Sequence, residues 1–206
     1  LKELTNYLDT SKTQYVSKHE YQYNLNNDIS SWNIKDGAGA GQRLEFAYDA
    51  DGQLETVYKK ALTAGNPLQD YEHYRYDKAG NRTSNQSFGN KVTTAEFNIS
   101  NQITTLKSGG KLLIEGQLSE YSQVTINKAA AKVNGNNQFK GYAEVVDGTN
   151  EIVVKATDTN HNVKNQKYSI NHTAQDAFTY AFDLNGNLTT ETNTTQSTVR
   201  TFEWDS

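Results

Sequence analysis

Two stretches of this sequence carry side-chain oxygens at spacings that resemble a calcium loop. Asp49-Ala50-Asp51-Gly52 begins like one, but the later ligands are missing, above all a Glu near the end of the loop, so a turn is the better interpretation. A second loop offers oxygens from Asp158, Asn160 and Asn162 and is a weak candidate for Ca²⁺, against the simpler interpretation of a polar turn after a strand. The sequence therefore predicts no metal site, with the Asp158 loop as the one weak candidate.

The histidines and hydroxyls show no catalytic pattern. His19, His73, His161 and His172 are scattered, without a second His or an acid at relay spacing, and we expect them on the surface. The Ser and Thr residues lie in strand-like segments and lack the context of a nucleophile elbow. Most carboxylates occupy turn positions, where they cap the backbone. We therefore predict no enzymatic activity and no cofactor.

Composition limits the partners. Lys and Arg number 20 against 24 Asp and Glu, a net charge of −4 without a basic cluster, which makes nucleic acid and anionic membranes poor partners. There is no apolar run of the roughly 18 residues that a membrane span requires. Apolar residues make up only 34% of the chain while Tyr alone numbers 13, so a thin core that depends on aromatic rings is expected.

Six aromatic residues, each followed at once by Asp or Asn, mark a repeat along the chain. In five of the six, Gly or Asn follows the acid or amide by three residues. An Asp or Asn that opens such a segment and a Gly that closes it predict a type I turn, because the side chain caps a nearby amide and Gly tolerates the left-handed backbone. The residues that define this repeat are Tyr23, Asn24, Tyr48, Asp49, Gly52, Tyr76, Asp77, Gly80, Phe97, Asn98, Phe182, Asp183, Gly186, Trp204 and Asp205.

The residues around each turn alternate as strands do. Upstream, aromatics recur at every second position, as in Phe46-Ala47-Tyr48; downstream comes a short run with an apolar or long residue followed by hydroxyls, as in Leu188-Thr189-Thr190. Each unit is therefore predicted to be a β-hairpin. A lone hairpin is marginal in water, so the hairpins must stack into a continuous sheet.

One interval between these units is too long for a hairpin. Phe97 and Phe182 lie 85 residues apart, about 60 more than the other intervals, which is roughly one small β domain. Within it the aromatic-acid pairs disappear and alternating aliphatic strands separated by Asn and Gly turns indicate a β-sandwich. Its predicted core residues are Val124, Ile126, Phe139, Ile152, Val154 and Ala156.

The repeat resembles the tyrosine-aspartate (YD) repeats of the Rhs family, above all in Tyr76-Asp77-Lys78-Ala79-Gly80-Asn81 and Phe182-Asp183-Leu184-Asn185-Gly186-Asn187. The inserted segment resembles bacterial immunoglobulin-like modules of the kind appended to glucodextranase. Together the resemblances imply an all-β protein of stacked YD-repeat hairpins that form part of a β shell, interrupted by an immunoglobulin-like sandwich. The predicted domains are 1–106 for the repeats, 107–172 for the sandwich, and 173–206 for one repeat and the truncated next one.

The Rhs resemblance also implies a function. Long arrays of such hairpins enclose a C-terminal effector in bacterial toxin systems, and members are secreted or displayed at the cell surface. We therefore expect a fragment of shell wall whose partners are the adjoining YD repeats of the same polypeptide, with an encapsulated C-terminal effector as a further partner. The alternative is a carbohydrate-binding or adhesion module, in which exposed Tyr, Asn and Asp side chains bind surface glycans.

The domain boundaries generate a first prediction. Residues 107–172 expressed alone should unfold in one cooperative thermal transition, because a sandwich with its own core folds as a unit. Circular dichroism across a temperature ramp measures this. A segment that is disordered at room temperature would contradict the assignment of an independent domain.

Overall fold

The structure is a computed structural model that describes residues 1–8, 10–12, 14–37 and 39–205. Every regular element in these ranges is a β-strand, so the predicted all-β class is confirmed. None of the elements in the described ranges is a helix with the length and apolar character of a membrane span. The chain divides into two compact units, Leu1–Tyr74 and Arg75–Ser206, which are described separately.

The first unit is a single antiparallel meander in which each strand pairs with the next along the chain. Its strands are β1 (Glu3–Tyr7), β2 (Tyr15–Tyr23), β3 (Ile29–Asp36), β4 (Gln42–Tyr48), β5 (Leu54–Ala61) and β6 (Leu68–Tyr76), the last two residues of β6 belonging to the second unit. Consecutive antiparallel hairpins are what the aromatic-acid turns predict.

The two faces of this meander differ in chemistry. Tyr21, Trp32 and Leu44 lie opposite one another on adjacent strands, and the rings of Tyr21 and Trp32 stack with centroids 5.6 Å apart. The other face carries a polar ladder, in which Arg43 donates to Asn33 and Glu45, and Lys60 donates to Glu45 across 2.6 Å. Cross-strand pairs of these kinds stabilise a sheet that has little apolar core.

Burial in the first unit is correspondingly polar. Among its described residues, the fully buried side chains are Ser31, Thr56 and His73, and no apolar side chain joins them. The predicted thin core is therefore realised here as half-buried rings and long polar side chains. Because the apolar surface removed from water is small, cross-strand hydrogen bonds and ion pairs carry more of the stability than in a two-layer fold.

The second unit contains further array strands and an inserted domain. The array strands are β7 (Arg82–Ser87), β8 (Lys91–Phe97), β9 (Ile103–Ser108), β17 (Phe178–Phe182), β18 (Leu188–Asn193) and β19 (Thr198–Thr201). Strand β9 pairs directly with β17, through Leu106 opposite Phe178 and Thr105 opposite Thr179. The meander thus continues from β9 to β17 although about 70 residues of chain lie between them.

The intervening chain forms two facing sheets. One has the order β10-β14-β13 and the other β12-β11-β15-β16. The strands are β10 (Gly110–Gln117), β11 (Ser122–Ile126), β12 (Ala129–Ala130), β13 (Lys132–Val133), β14 (Gln138–Val145), β15 (Gly148–Asp158) and β16 (Val163–His172). This is a β-sandwich; its kinship with immunoglobulin-like modules and the boundaries 107–172 stay predictions.

The sandwich encloses the main apolar core of the described chain. Of the predicted core residues, Val124, Ile126, Ile152 and Val154 are buried, while Phe139 and Ala156 are partly buried and pack against them. The additional buried members are Leu112, Ala143 and Val145 from the sheet of β10 and β14, and Val92.

Val92 belongs to array strand β8 and not to the sandwich sequence. Its side chain is fully buried in the sandwich core. Close by, the Gln86 side chain of β7 accepts a hydrogen bond from the Leu113 amide of β10. Two array strands therefore complete the inserted domain, which is docked on the array instead of projecting freely from it.

This docking generates a second prediction. Val92→Ala should destabilise the protein by about 2 kcal/mol, because it removes buried methyl groups and leaves a cavity at the junction. Val199→Ala is the control, since Val199 is 61% exposed and should change the unfolding free energy by less than about 0.5 kcal/mol. Urea unfolding measures both. Equal effects of the two substitutions would show that Val92 is not part of the core.

Candidate functional site

The most repeated constellation in the described chain is the hairpin turn opened by Asp or Asn, called here the Asx turn. In the turn of Asp49, the backbone carbonyl accepts from the Gly52 amide at 3.2 Å and the Asp49 amide donates to the Gln53 carbonyl at 2.9 Å. The carboxylate oxygen Oδ1 accepts from the amides of Asp51 and Gln53, at 3.0 and 2.8 Å. One oxygen thus holds two amides that the turn would leave unpaired.

The same bonds recur at five of the six predicted repeats. The Oδ1 atoms of Asn24, Asp49, Asp77, Asn98 and Asp183 each accept from the amides two and four residues later. The residue three positions after the Asx residue has a left-handed backbone: φ is +78° at Gly52, and Asn27 takes its place at +70° in the first turn. Asn accepts this conformation at modest cost, so amides substitute for glycine without loss of the turn.

A second side-chain bond links the Asx residue to the residue four positions later. In two turns that open with Asp the fourth residue is Asn, and the Asn81 and Asn187 side-chain amides donate to the second carboxylate oxygens of Asp77 and Asp183; the turn of Asp49 has Gln53 at this position instead. Where it opens with Asn, an acceptor follows: Asn24 donates to Asp28, and Asn98 to Gln102. The pair exchanges roles but keeps one donor and one acceptor.

These bonds lower the pKa of the carboxyl group in two of the turns. The Asn81 side-chain amide, with backbone amides of the same turn, holds the pKa of Asp77 below its usual value. Asn187 lowers the pKa of Asp183 in the same way. Hydrogen bonds to the charged form are the cause, because both carboxylates lie in solvent-exposed turns.

A bulge follows the turns of Asn24, Asp49, Asn98 and Asp183. Thr104 and Thr189, six residues after Asn98 and Asp183, are the extra residues where the strand register shifts. Their hydroxyls donate to the carbonyls of Glu96 and Ala181 on the partner strand. Thr83 makes the same bond to Arg75. The hydroxyl that recurs after the apolar residue in the sequence therefore closes the bulge, a role that the alternation pattern alone does not reveal.

The aromatic residue before the Asx residue connects neighbouring hairpins. The Tyr48 hydroxyl donates to the Ile29 carbonyl of the preceding hairpin at 2.9 Å, and the Trp204 indole nitrogen donates to the Leu188 carbonyl at 2.7 Å. The Tyr23 hydroxyl donates to the carbonyl of Leu1. Burial raises the pKa of the Tyr48 phenol, with a smaller contribution from the Asp28 charge.

The other repeat aromatics are placed as the tyrosine pattern predicts for a sheet face. Tyr76, Phe97 and Phe182 are half-buried, and Trp204 is exposed. Phe97 and Phe182 lie opposite Ile103 and Leu188 across their hairpins. Asp205 follows Trp204 outside the regular strands. The rings therefore lie mainly against neighbouring strands.

The weak metal candidate is another Asx turn. The Asp158 Oδ1 accepts from the amides of Asn160 and Asn162, and its second oxygen accepts from the Asn162 side chain. Asn134 makes the corresponding bonds to Asn136 and Gln138. Both turns lie in the sandwich and follow Thr or Val instead of an aromatic residue. Within the described ranges, no group of three or more His, Cys, Asp or Glu side chains converges as metal ligands would.

The expectation of surface histidines is wrong for two of the four. His73 and His172 are each 1% exposed. His73 lies opposite Thr56, and its Nδ1 is 3.0 Å from the Thr56 hydroxyl. His19 is half-buried and accepts a bond from the Trp32 indole, while His161 lies exposed in the Asp158 turn. Buried imidazoles are satisfied by partners far along the chain, which local spacing does not show.

His172 forms the polar part of the sandwich junction. Its Nδ1 lies 3.1 Å from Asp147, and its Nε2 lies 3.0 and 3.1 Å from the backbone nitrogen and oxygen of Val92. The Ser108 hydroxyl donates to the same Asp147 oxygen at 2.5 Å. The trio is not a catalytic triad, because Ser108 contacts the carboxylate and the imidazole Nε2 faces backbone. It ties the end of β16 to array strand β8.

Comparison with known proteins gives solved structures alone. No family model matches the chain, and no curated protein matches it. The solved structures that resemble it include the crystal structures of TcdB2-TccC3-TEV and TcdB2-TccC3-Cdc42. The identities are 11% and 10%, the TM-scores 0.29 and 0.30, and the alignments cover 94% and 90% of this chain. The chain spans only 10% of the length of each.

The lowered pKa of Asp183 generates a third prediction. Because its folded pKa lies below the unfolded value of about 3.9, the turn stabilises the protein fully above that pH and loses this contribution as pH falls through the folded pKa. Asp183→Ala should therefore lower the unfolding free energy at pH 7 more than at pH 2. Urea unfolding at both pH values measures the difference.

The double variant Asp183→Asn with Asn187→Asp is the matched control. It copies the Asn24 and Asp28 arrangement already present in the chain, so we expect a stability near wild type at pH 7. An Asp183→Ala loss of the same size at pH 2 and pH 7 would exclude a contribution from the ionised carboxylate.

Proposed function

We propose that this chain is a non-enzymatic structural segment of a large secreted or cell-surface Rhs/YD-repeat protein. In this proposal it forms part of the wall of a β shell that encloses a C-terminal toxin or effector. The sequence resemblance supplies the family and the shell. The hydrogen bonds from repeat aromatics to carbonyls of the preceding hairpin join successive repeats, and this is the physical reason for an extended wall.

The contact that supports this proposal most directly is the bond from a repeat aromatic to the preceding hairpin. Tyr48 and Trp204 each use a ring donor to reach the carbonyl five residues after the previous Asx residue. A hairpin whose repeat aromatic is Tyr or Trp therefore binds its neighbour both through the strand ladder and through its ring. Such an element stabilises an array of any length, since each unit offers the same carbonyl to the next.

The carbohydrate-binding alternative requires rings with free faces. The Tyr21 and Trp32 rings stack on each other and the Phe178 and Tyr180 rings do likewise, so these faces are partly occupied. The exposed Trp204 is the repeat aromatic most accessible to a sugar. A glycan array tests this alternative, and saturable binding abolished by Tyr74→Ala or Tyr76→Ala in a folded protein would favour it over the wall.

The wall proposal generates a fourth prediction, which concerns association of the isolated chain. In the described residues, β1 pairs with β2 alone and β19 with β18 alone, so both carry an unpaired edge. Unpaired strands recruit other chains. The isolated chain should self-associate, and Val199→Lys with Thr201→Lys on β19 should shift its mass in light scattering toward the monomer.

Val163→Lys is the control for this experiment, because Val163 is a comparably exposed residue on β16, the edge strand of the sandwich. It should leave association unchanged. Association abolished by the β16 variant and unaffected by the β19 variant would place the contact in the inserted domain and contradict repeat-to-repeat assembly.

A further inference from the structure

A cleft of about 440 Å³ lies where the sandwich meets the array strands of the second unit. Arg75 comes from the end of β6, strands β7, β8 and β9 contribute hydroxyls and Lys107, and the sandwich contributes residues of β10 and β14. The volume is within the range of cavities that hold small ligands. The cleft is distinct from the Asx turns and from the ring contacts between hairpins.

Its charge is opposite to that of the whole chain. Arg75, Lys107 and Lys111 line it against the single carboxylate of Glu144, whereas the protein carries a net charge of −4. The Lys107 ammonium is paired with Glu96. Among the described residues, neither Arg75 nor Lys111 has a carboxylate partner in an ion pair. Two cations are thus available to a ligand.

The Arg75 guanidinium is positioned by an aromatic ring. It lies 4.8 Å from the centroid of Tyr142 on β14, within the range of a cation–π contact. Its own backbone carbonyl accepts from the Thr83 hydroxyl of β7. A guanidinium stacked on a ring keeps its edge donors available, and that edge matches a planar or tetrahedral oxyanion.

At the cleft, the backbone of Gly109 and Gly110 passes too close to neighbouring residues to allow a side chain. Gly109 and Gly110 have φ of +85° and +129°. A Cβ on Gly110 would overlap the Thr94 hydroxyl, and one on Gly109 would lie 2.7 Å from the Val145 carbonyl. The two glycines therefore let the chain leave the array beside Thr94 without filling the space in front of Arg75 and Lys111.

We propose that this junction cleft binds an oxyanion, a carboxylate or phosphate group carried by a small polar ligand. Arg75 supplies the directional contact and Lys111 supplies a second positive charge, while the hydroxyls of Thr83 and Ser84 line the remaining wall. Glu144 lies opposite Lys111 across the β10–β14 ladder and competes with the ligand for that ammonium. The affinity for the oxyanion therefore depends on the attraction of Arg75 and Lys111 and on the opposing charge of Glu144.

The test is a titration followed through the backbone amide signals of Gly110 and Lys111 in nitrogen-15 spectra. The probes are inorganic phosphate, glucuronate and neutral glucose, up to about 10 mM, ten times a weak 1 mM dissociation constant. We expect saturable shifts with phosphate, glucuronate or both, and none with glucose. Phosphate alone or glucuronate alone identifies which oxyanion the cleft prefers.

Variants assign the effect to the cleft. Arg75→Gln should weaken binding about tenfold or more, because it removes a charge-assisted contact. Lys111→Gln should weaken it less, and since Lys111 is exposed this variant keeps the test valid if Arg75→Gln fails to fold. Glu144→Gln should strengthen binding, and Lys132→Gln, an exposed lysine outside the cleft, should leave it unchanged.

Three outcomes would overturn the proposal. One is the absence of saturable shifts with either anion; another is equal binding of glucose and glucuronate. The third is a loss of affinity in Lys132→Gln as large as in Lys111→Gln, which would show diffuse attraction to surface lysines in place of a site. Addition of salt at constant probe concentration should weaken the exposed Lys111 contribution first.

Discussion

The hairpins depend on a single oxygen, the Oδ1 of an Asp or Asn, which accepts two backbone amides in every Asx turn. A turn of this length leaves amides pointing into the loop, where strands cannot pair them. Asp49 satisfies two of them at 3.0 and 2.8 Å and leaves its own backbone free to close the ladder. The left-handed residue that follows reverses the chain direction, and the strands leave the turn in register.

The two strands of these hairpins pair with the register shift of the bulge. That register decides which residue the repeat aromatic faces. After the bulge at Thr104 or Thr189, the repeat aromatic faces the apolar residue five positions after the Asx residue. Where the ring carries a donor, it bonds the carbonyl of the corresponding apolar residue in the hairpin before it, as Tyr48 does with Ile29. Turn, bulge and ring contact are thus consequences of one local geometry, which explains how a chain with few buried apolar residues maintains an ordered sheet.

The sequence indicates these turns because their determinants lie within five residues. Asp or Asn, then Gly or Asn three positions later, is visible without a structure, and so is the period-two alternation of the strands. The reciprocal pairing of Asp77 with Asn81 and of Asn24 with Asp28 also lies in the sequence, as an acid and an amide four residues apart. A count of that spacing would also have found the Asx turn at Asp158, and a count that admits two amides would have found the one at Asn134.

What the sequence does not show is decided by contacts between distant residues. His172 bonds the backbone of Val92, 80 residues away, and nothing near either residue marks the pair. The predicted core omitted Val92 for the same reason, because the local sequence of β8 does not distinguish Val92 from the other residues of the array strands. The burial of His73 depends on β5 and β6 lying side by side, which places Thr56 beside the ring.

The insertion itself follows from the way the array is built. Because β9 and β17 pair by the same ladder as consecutive strands, the sheet requires only that the two strands meet, and not that a short turn joins them. The chain can leave at Gly109 and return before Phe178, provided that its excursion folds and does not obstruct the neighbouring strands. The docking of the sandwich through Val92 and His172 meets that condition, since it fixes the domain over β7 and β8. The same docking creates the junction cleft, because two surfaces built by different strand ladders meet without matching completely.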